Sequence, residues 1–153
     1  MDDPALQEFL KTVDKSKFSH EPYVKRMDKP WGYELIYTRE ELPYTGKVMH
    51  INAGKRQSLQ IHDKKQETYL LYSGRGGVII ENASGEMENV EFESNKGYTC
   101  AIGQKHRLFA ITDCDILEFS TPELGNTYRL EDDYARPTET DEMRKDPNRG
   151  WKS

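Results

Sequence analysis

The sequence predicts an all-β protein, a sandwich or barrel of short strands with one short helix ahead of it. Strand-like stretches recur every 8–12 residues, with Gly, Asn, Asp and Ser in the turns between them. Apolar residues make up 35% of the chain and come in organised runs, so the 32% of charged residues does not indicate disorder. At 153 residues, the chain is long enough for one domain with a sizeable core.

The predicted helix covers residues 3–13, where apolar side chains recur at helical spacing. Asp2 or Asp3 is its N-cap, ahead of Pro4. Its apolar stripe needs a cover, either the chain's own barrel or a second subunit, and we expect a homodimer.

Ten strands are predicted after a polar linker that ends near residue 28. They cover residues 33–37, 47–52, 58–62, 67–72, 76–81, 88–93, 97–102, 106–112, 115–120 and 126–130.

The chain divides into three parts. Residues 1–27 form the helix and linker, residues 28–136 the barrel, and residues 137–153 a charged tail. Because the tail lacks apolar periodicity, we expect it to pack on the surface or to be partly disordered. Trp31 is expected to be a structural plug at the start of the barrel, with a platform on which the substrate stacks as the alternative.

Composition excludes several classes of partner. The net charge of −5, without a basic stripe, argues against nucleic acid. No apolar stretch approaches the roughly 20 residues of a membrane span, and the acidic N-terminus has no signal-peptide core. Cys100 and Cys114 are too few for a disulfide framework and are expected to be buried free thiols, which favours a cytoplasmic location.

Four residues of metal-ligand type stand at a spacing that brings their side chains together. The first two lie two residues apart on one predicted strand and therefore share a face. The third begins the next strand, and the fourth follows about forty residues later. They are Gln60, His62, Glu67 and His106. Two imidazoles, a carboxylate and an amide oxygen suit one divalent metal.

The first three of these residues belong to a longer pattern flanked by glycines. Gly54, Gln60, His62, Glu67 and Gly74 are spaced like the first motif of the cupin family, with Gln60 where a histidine is usual. The chain therefore resembles the cupins, which implies a double-stranded β-helix, or jelly-roll barrel, with a metal at its mouth.

The second cupin motif is matched in part. Gly103 and His106 occupy its Gly and His positions, whereas Ala101 and Ala110 replace its usual Pro and Asn.

A narrower resemblance is carried by six pieces: Lys29–Tyr33, Ser58–His62, Glu67, His106–Leu108, Leu117–Phe119 and Glu131–Arg136. With these pieces the chain is similar to the cupin domain of type II phosphomannose isomerases, including those fused to mannose-1-phosphate guanylyltransferases. In that family Gln, His, Glu and His bind the metal, so Gln60 is a family trait.

The chain departs from that family at the places that hold a sugar phosphate. Met49 and His50 stand where basic residues are usual, and the Tyr-Gly-Arg that closes the family's domain is missing after Arg136. These differences favour a sugar-binding or regulatory cupin without turnover as an alternative to an enzyme.

Aldose–ketose isomerisation needs a general base that reaches a carbon-bound proton beside the metal. The candidates are Glu118, His50 and Lys47, with Glu131 and Asp132 behind them. If Glu118 faces the barrel interior, its pKa is raised and suits a base near neutral pH. If it faces outward, it is a solvated strand residue.

Substrate contacts are predicted for three further residues. Arg107 and Arg136 are candidates for an anionic group, because a guanidinium binds phosphate or carboxylate in a bidentate manner. The alternative is that both are surface arginines. Tyr69 shares the parity of Glu67 and is expected to line the pocket, whereas Tyr72 has the opposite parity.

The leading functional prediction is a metal-dependent cupin that acts on a sugar or sugar phosphate, with mannose-6-phosphate isomerisation as the named reaction. Zinc is the first metal expected, and manganese, nickel, cobalt and iron stay open. Another cupin enzyme, an epimerase or a dioxygenase, is the second alternative, although Gln60 disfavours an iron oxygenase.

Overall fold

Two antiparallel sheets face each other around an apolar core. The computed structural model describes residues 3–149. Within this range, helix α1 (Pro4–Thr12) precedes the strands. The strands are β1 (Lys25–Lys29), β2 (Gly32–Ile36), β3 (Thr45–Ile51), β4 (Leu59–His62), β5 (Glu67–Ser73), β6 (Gly76–Glu81), β7 (Met87–Glu91), β8 (Gly97–Cys100), β9 (His106–Ala110), β10 (Cys114–Ser120) and β11 (Thr127–Glu131).

The larger sheet has the strand order β1-β2-β3-β10-β5-β8, and the smaller sheet has the order β11-β4-β9-β6-β7. All neighbouring strands are antiparallel. This arrangement confirms the prediction of an all-β jelly-roll with a short N-terminal helix.

Alternation along the strands builds the core between the sheets. On β10, Cys114, Ile116 and Glu118 are buried, and the residues between them are more exposed. Both faces of the core contribute large side chains. The buried apolar cluster comprises Trp31, Met49, Ile51, Tyr69, Leu71, Val78, Phe92, Cys100, Leu108, Ala110, Cys114 and Ile116.

The turn between β5 and β6 requires glycine at position 74. Gly74 has a φ of +75°, and a Cβ there would lie 2.0 Å from the carbonyl oxygen of Asp113. No side chain can be accommodated at that distance. The glycine of the sequence motif is therefore needed to bring β5 beside β10.

Helix α1 is capped as predicted, since the Asp3 carboxylate accepts hydrogen bonds from the backbone N–H groups of Ala5 and Leu6. Asp2 lies outside the described residues. The apolar side chains of Phe9 and Leu10 are exposed, and no residue of the helix is buried.

The linker was predicted to extend too far. Strand β1 begins at Lys25, inside the expected linker, and pairs with β2 at the edge of the larger sheet. Because the sequence of β1 is mostly charged, it lacks the apolar alternation that predicts a strand. Met27 and Lys29 are nonetheless buried.

The C-terminal segment is part of the described structure through residue 149. The backbone N–H and carbonyl of Glu139 pair with those of Thr127, at 2.9 and 2.8 Å. Glu139 and Arg149 are buried. Residues 137–149 therefore pack on the barrel, which was one of the two possibilities expected for the tail. Two of their charges are nonetheless buried, because Glu139 pairs with Arg129 and Arg149 pairs with Glu139. Residues 150–153 lie outside the described part of the chain.

Cys100 and Cys114 are both buried free thiols, which confirms that prediction. In the part of the chain that the structure describes, none of the helices has the length and apolar character needed to cross a membrane.

Candidate metal centre and its cavity

The four predicted ligands come from both sheets. Gln60 and His62 lie on β4, and Gln60 is directly opposite His106 on β9 of the same sheet. Glu67 begins β5 in the facing sheet. Because residues two apart on a strand share a face, both β4 side chains point into the space between the sheets.

The donor atoms of these residues converge. His62 Nε2 lies 2.5 Å from Glu67 Oε1, and His106 Nε2 lies 3.4 Å from the same oxygen. The Gln60 amide nitrogen is 3.3 Å from Nε2 of His62 and 3.4 Å from Nε2 of His106. Ligands bound to one cation at about 2.0–2.2 Å are themselves about 3 Å apart, so the spacing fits a single metal site.

The outer ring nitrogens of the two histidines have their own partners. His106 Nδ1 donates to the carbonyl of Gln104 at 2.9 Å, so Nε2 is the ring nitrogen that faces the centre. His62 Nδ1 is 3.0 Å from the Thr127 hydroxyl. Burial lowers the pKa of His62 although Glu67 opposes the shift, which favours the neutral form of this ring. Hydrogen bonds of this kind orient histidines that bind metals.

Glu67 is the residue that most needs a cation. Its Oε2 accepts a hydrogen bond from the Tyr69 hydroxyl at 2.8 Å and lies 3.2 Å from Lys65 Nζ. Its Oε1 is buried and has no hydrogen-bond partner among the described residues. Burial by itself raises the pKa of Glu67, but the Lys65 ammonium opposes this effect, and the pKa lies well below the usual range. A buried anionic oxygen that faces two imidazole lone pairs is costly unless a cation joins them.

The Gln60 amide can serve the same centre through its oxygen. Its Oε1 accepts a hydrogen bond from the Ser58 hydroxyl at 2.9 Å, with Nε2 toward the histidines. A half-turn of the amide exchanges these atoms, and the Ser58 hydroxyl can accept as well as donate. The residues therefore fit a divalent cation with nitrogen and oxygen donors.

A cavity of about 50 Å³ lies beside the donor atoms. Its apolar wall includes Trp31, which is 2% exposed and belongs to the core, as the predicted structural plug requires. The rest of the wall is highly charged, with five basic and five acidic side chains. They are Lys29, Lys47, Lys65, Arg129 and Arg136, and Glu34, Glu67, Glu118, Glu123 and Glu139.

Two predicted bases, Glu118 and Lys47, line this cavity. Glu118 faces the interior, 2% exposed, with Lys65 Nζ at 2.6 Å from Oε1 and Lys47 Nζ at 3.2 Å from Oε2. Burial raises the pKa of Glu118 against the opposing effect of the two lysines. For Lys47, burial alone lowers the pKa, but Glu118 and other carboxylates raise it well above normal. Lys47 is therefore a cation, and Glu118 is the stronger candidate for moving a proton.

His50, the third predicted base, lies on the other face of β3. The buried positions of that strand are Lys47, Met49 and Ile51, so His50 points away from the cavity. Its ring stacks on Tyr33, with centroids 4.8 Å apart. The prediction of a catalytic role was wrong because Lys47 and His50 have opposite parity on one strand.

The two reserve candidates are also outside the cavity lining. The carboxylate of Glu131 is 67% exposed and lies 3.5 Å from Arg107. Asp132 is paired with Arg136 through Oδ1 at 2.8 Å and Oδ2 at 2.9 Å.

Arg107 is buried, but its side chain does not line the cavity. It follows His106 on β9 and therefore points to the opposite face. Its Nε donates to the carbonyl of Gln57 at 2.7 Å, and its Nη2 donates to the carbonyl of Glu131 at 3.2 Å. Its contacts fasten two backbone segments, so the predicted phosphate contact was wrong.

Arg136 and Tyr69 are near the centre in other roles than predicted. Arg136 lines the cavity, but its guanidinium is already bidentate with Asp132. Tyr69 is buried with the parity of Glu67, as expected, but it orients the Glu67 carboxylate and does not line the cavity. Tyr72, on the opposite face, is 73% exposed.

Several cavity residues escaped the sequence predictions. Lys65 lies inside the first cupin motif, and Lys29 begins one of the six pieces that carry the narrower resemblance. Their positions in the sequence could therefore have identified both as cavity residues. Glu123 and Glu139 come from a loop and from the C-terminal segment, where no periodicity marks them.

Solved structures of cupin-fold proteins resemble this chain. Oxalate decarboxylase from Lactobacillus farciminis, in a formate complex, is 22% identical over 76% of this chain, with a TM-score of 0.62. The capsular polysaccharide assembling protein CapF from Staphylococcus aureus is 17% identical over 80%, with a TM-score of 0.57. A deletion mutant of Bacillus subtilis oxalate decarboxylase is 17% identical over 76%, with a TM-score of 0.62. These likenesses show the cupin fold.

The chain covers only 38%, 35% and 34% of those three proteins, in the same order. No protein-family model and no curated protein matches its sequence. The narrower resemblance to phosphomannose isomerases therefore stays a prediction, whereas the fold and the His/Glu cluster support a metal-binding cupin.

Proposed function

We propose that the protein is a metal-dependent enzyme that acts on a small anionic, oxygen-rich substrate, with aldose–ketose isomerisation of a hexose 6-phosphate as the reaction. The observation that carries this proposal is a buried carboxylate, Glu118, in the same cavity as a converged metal-ligand set. A proton-transfer group beside an electrophilic centre is what isomerisation needs.

Gln60, His62, Glu67 and His106 would hold the cation. When bound, it would act as a Lewis acid that polarises oxygens of the substrate. The donor set is compatible with zinc, manganese, iron, nickel or cobalt. Bacillus subtilis oxalate decarboxylase has Mn(II) centres, so manganese is tested beside the zinc that the sequence favoured.

Glu118 would move the proton. Its carboxylate takes the proton from C2 of the bound aldose at one oxygen and returns it to C1, while the hydroxyl proton of O2 moves to O1, so no net proton is gained or lost. Ser120 donates a hydrogen bond to Oε1 at 2.8 Å, and the two lysines hold the carboxylate in place. The raised pKa of Glu118 makes it a stronger base than an exposed glutamate.

The test begins with metal analysis of the purified protein, followed by a coupled assay with mannose 6-phosphate and fructose 6-phosphate. Glu118→Gln should lower kcat at least 100-fold with metal content unchanged. His62→Ala should lose metal and turnover together. Glu131→Gln makes the same chemical change on an exposed carboxylate and should be silent. Full metal occupancy without turnover of either sugar would refute the isomerase and favour a sugar-binding or regulatory cupin.

The size of the cavity favours a second candidate, a reaction on a small carboxylate. About 50 Å³ is well below the roughly 300–1,000 Å³ of pockets that hold larger ligands. One similar structure, the Lactobacillus farciminis oxalate decarboxylase, is a formate complex. Consumption of oxalate by the metal-loaded protein, with hexose phosphates inert, would select this candidate.

A homodimer and a cytoplasmic location remain predictions, to be checked by light scattering and cell fractionation.

A further inference from the structure

The carboxylate of Glu123 is surrounded by four cations. It comes from the loop between β10 and β11, residues 121–126. Its Oε1 lies 2.8 Å from Lys47 Nζ and 3.3 Å from Lys65 Nζ. Its Oε2 lies 3.9 Å from Arg144 Nε and 3.8 Å from Arg149 Nη2. The Glu123 carboxylate is thus shared by four positive groups, of which the lysines also pair with Glu118 and the arginines with Glu139.

Those four cations are held by the body of the protein and by the C-terminal segment. Lys47 and Lys65 are 4% and 6% exposed, and Arg144 and Arg149 are 12% and 6% exposed. The Glu123 side chain is more exposed, at 25%, and Leu124 beside it is 57% exposed, whereas the backbone N–H groups of Gly125 and Asn126 are held by Asp141 and Asp63. The cations therefore form the fixed side of this contact, and the carboxylate forms the movable side.

A fifth cation, Lys29, lines the cavity beside the metal centre. Its ammonium has no closely bound carboxylate among the described residues. It is 7% exposed, and the nearest carboxylate oxygen among the described residues belongs to Glu34, 3.9 Å from Nζ. A buried ammonium at that distance from its counter-charge is poorly compensated.

Glu123 also separates two cavities. Among the described residues it alone lines both the cavity of about 50 Å³ beside the metal centre and a neighbouring one of about 500 Å³. Withdrawal of this one side chain would join them into a space of the size that binds a sugar phosphate.

We propose that Glu123 holds the place of a ligand's phosphate group, which binds Lys29, Lys47, Lys65, Arg144 and Arg149 when the Glu123 side chain moves out. A phosphate monoester supplies up to two negative charges and three terminal oxygens, which match the several donors better than one carboxylate does. The inference rests on the proposed function, because it assigns the substrate's anionic group to the same cavity.

The experiment measures the binding of inorganic phosphate by calorimetry, with protein stripped of metal. Glu123→Gln should bind phosphate at least 10-fold more tightly than the wild type, because the ligand no longer competes with an internal carboxylate. Adding Lys29→Met to Glu123→Gln should remove most of that gain. Glu91→Gln, which deletes one carboxylate of an exposed ion pair with Arg75, is the matched control and should leave the affinity unchanged.

Equal phosphate affinity in wild type and Glu123→Gln would overturn the proposal. Tighter binding of oxalate than of phosphate by Glu123→Gln would also overturn it, in favour of a carboxylate ligand. If Glu123→Gln does not fold, the wild type is used: phosphate should raise its Tm, and Lys29→Met should abolish that rise. A Tm rise that survives Lys29→Met would count against the site.

This experiment requires neither metal nor turnover. A gain in phosphate affinity in a protein that isomerises no sugar would leave the anion site standing and refute the proposed reaction. An active isomerase in which Glu123→Gln does not increase the phosphate affinity would support the proposed reaction and refute the anion site.

Discussion

The hydroxyl of Tyr69 should control metal affinity without touching the metal. It donates to Glu67 Oε2 at 2.8 Å, while Glu67 Oε1 faces the two histidines. Tyr69→Phe deletes one oxygen and keeps the ring in the core. The Glu67 carboxylate then keeps Lys65 as its partner on that side but loses the hydrogen bond that fixes its rotation.

The size of the effect follows from this geometry. A buried hydrogen bond to a charged group contributes about 1.5–3 kcal/mol. Since about 1.4 kcal/mol corresponds to a factor of ten, metal affinity should fall roughly 10–100-fold, the range seen for other residues that orient metal ligands. Tyr72→Phe makes the same change on the same strand at a 73% exposed position and should alter affinity less than 2-fold.

The assay is competition of each variant with a chromophoric chelator for zinc and manganese, at one pH and ionic strength. Urea unfolding of the metal-free proteins shows whether the fold is retained. A metal affinity of Tyr69→Phe within 3-fold of wild type, in a folded protein, would refute the assignment of Glu67 as a ligand oriented by Tyr69.

Two further predictions concern stability. Ile116→Ala empties a fully buried site between the sheets and should lower the free energy of unfolding by about 2–5 kcal/mol in urea titration; a loss under 1 kcal/mol would contradict its place in the core. Burial raises the pKa of Asp132, but hydrogen bonds from the side chain and backbone of Arg136 outweigh it and lower the pKa below normal. The stabilisation is therefore complete above the unfolded pKa of about 3.9 and disappears as pH falls through the folded pKa. Asp132→Asn should lower the free energy of unfolding by roughly 2–4 kcal/mol at pH 7 and by much less at pH 2.5; an equal loss at both pH values would contradict the ion pair.

Local patterns were enough to predict most of the strands and the metal ligands. For Glu118 the sequence left both faces of β10 open, and the structure places it with Ile116 on the buried face. The spacing from Gln60 to Glu67 placed three donors around one point, because two lie on one strand and the third begins the next.

The partners of the buried charges could not be predicted in this way. Lys47 meets Glu123, which is 76 residues away in the chain. The sequence showed charges in both segments but no periodicity that relates one to the other. The same limit concealed Glu139, whose burial depends on backbone pairing with Thr127 and on ion pairs with three arginines, one on β11 and two in the C-terminal segment.

The sequence by itself determined the elements and the relative faces of neighbouring residues, since both follow from a period of two residues and from glycine in tight turns. It thereby determined the donor set of the candidate metal centre. Only the tertiary structure decided which face of β3 points inward, and so selected Lys47 over His50. It also brought Glu123 into the ring of cations, because the position of a loop depends on contacts between segments far apart in the chain and not on its own residues.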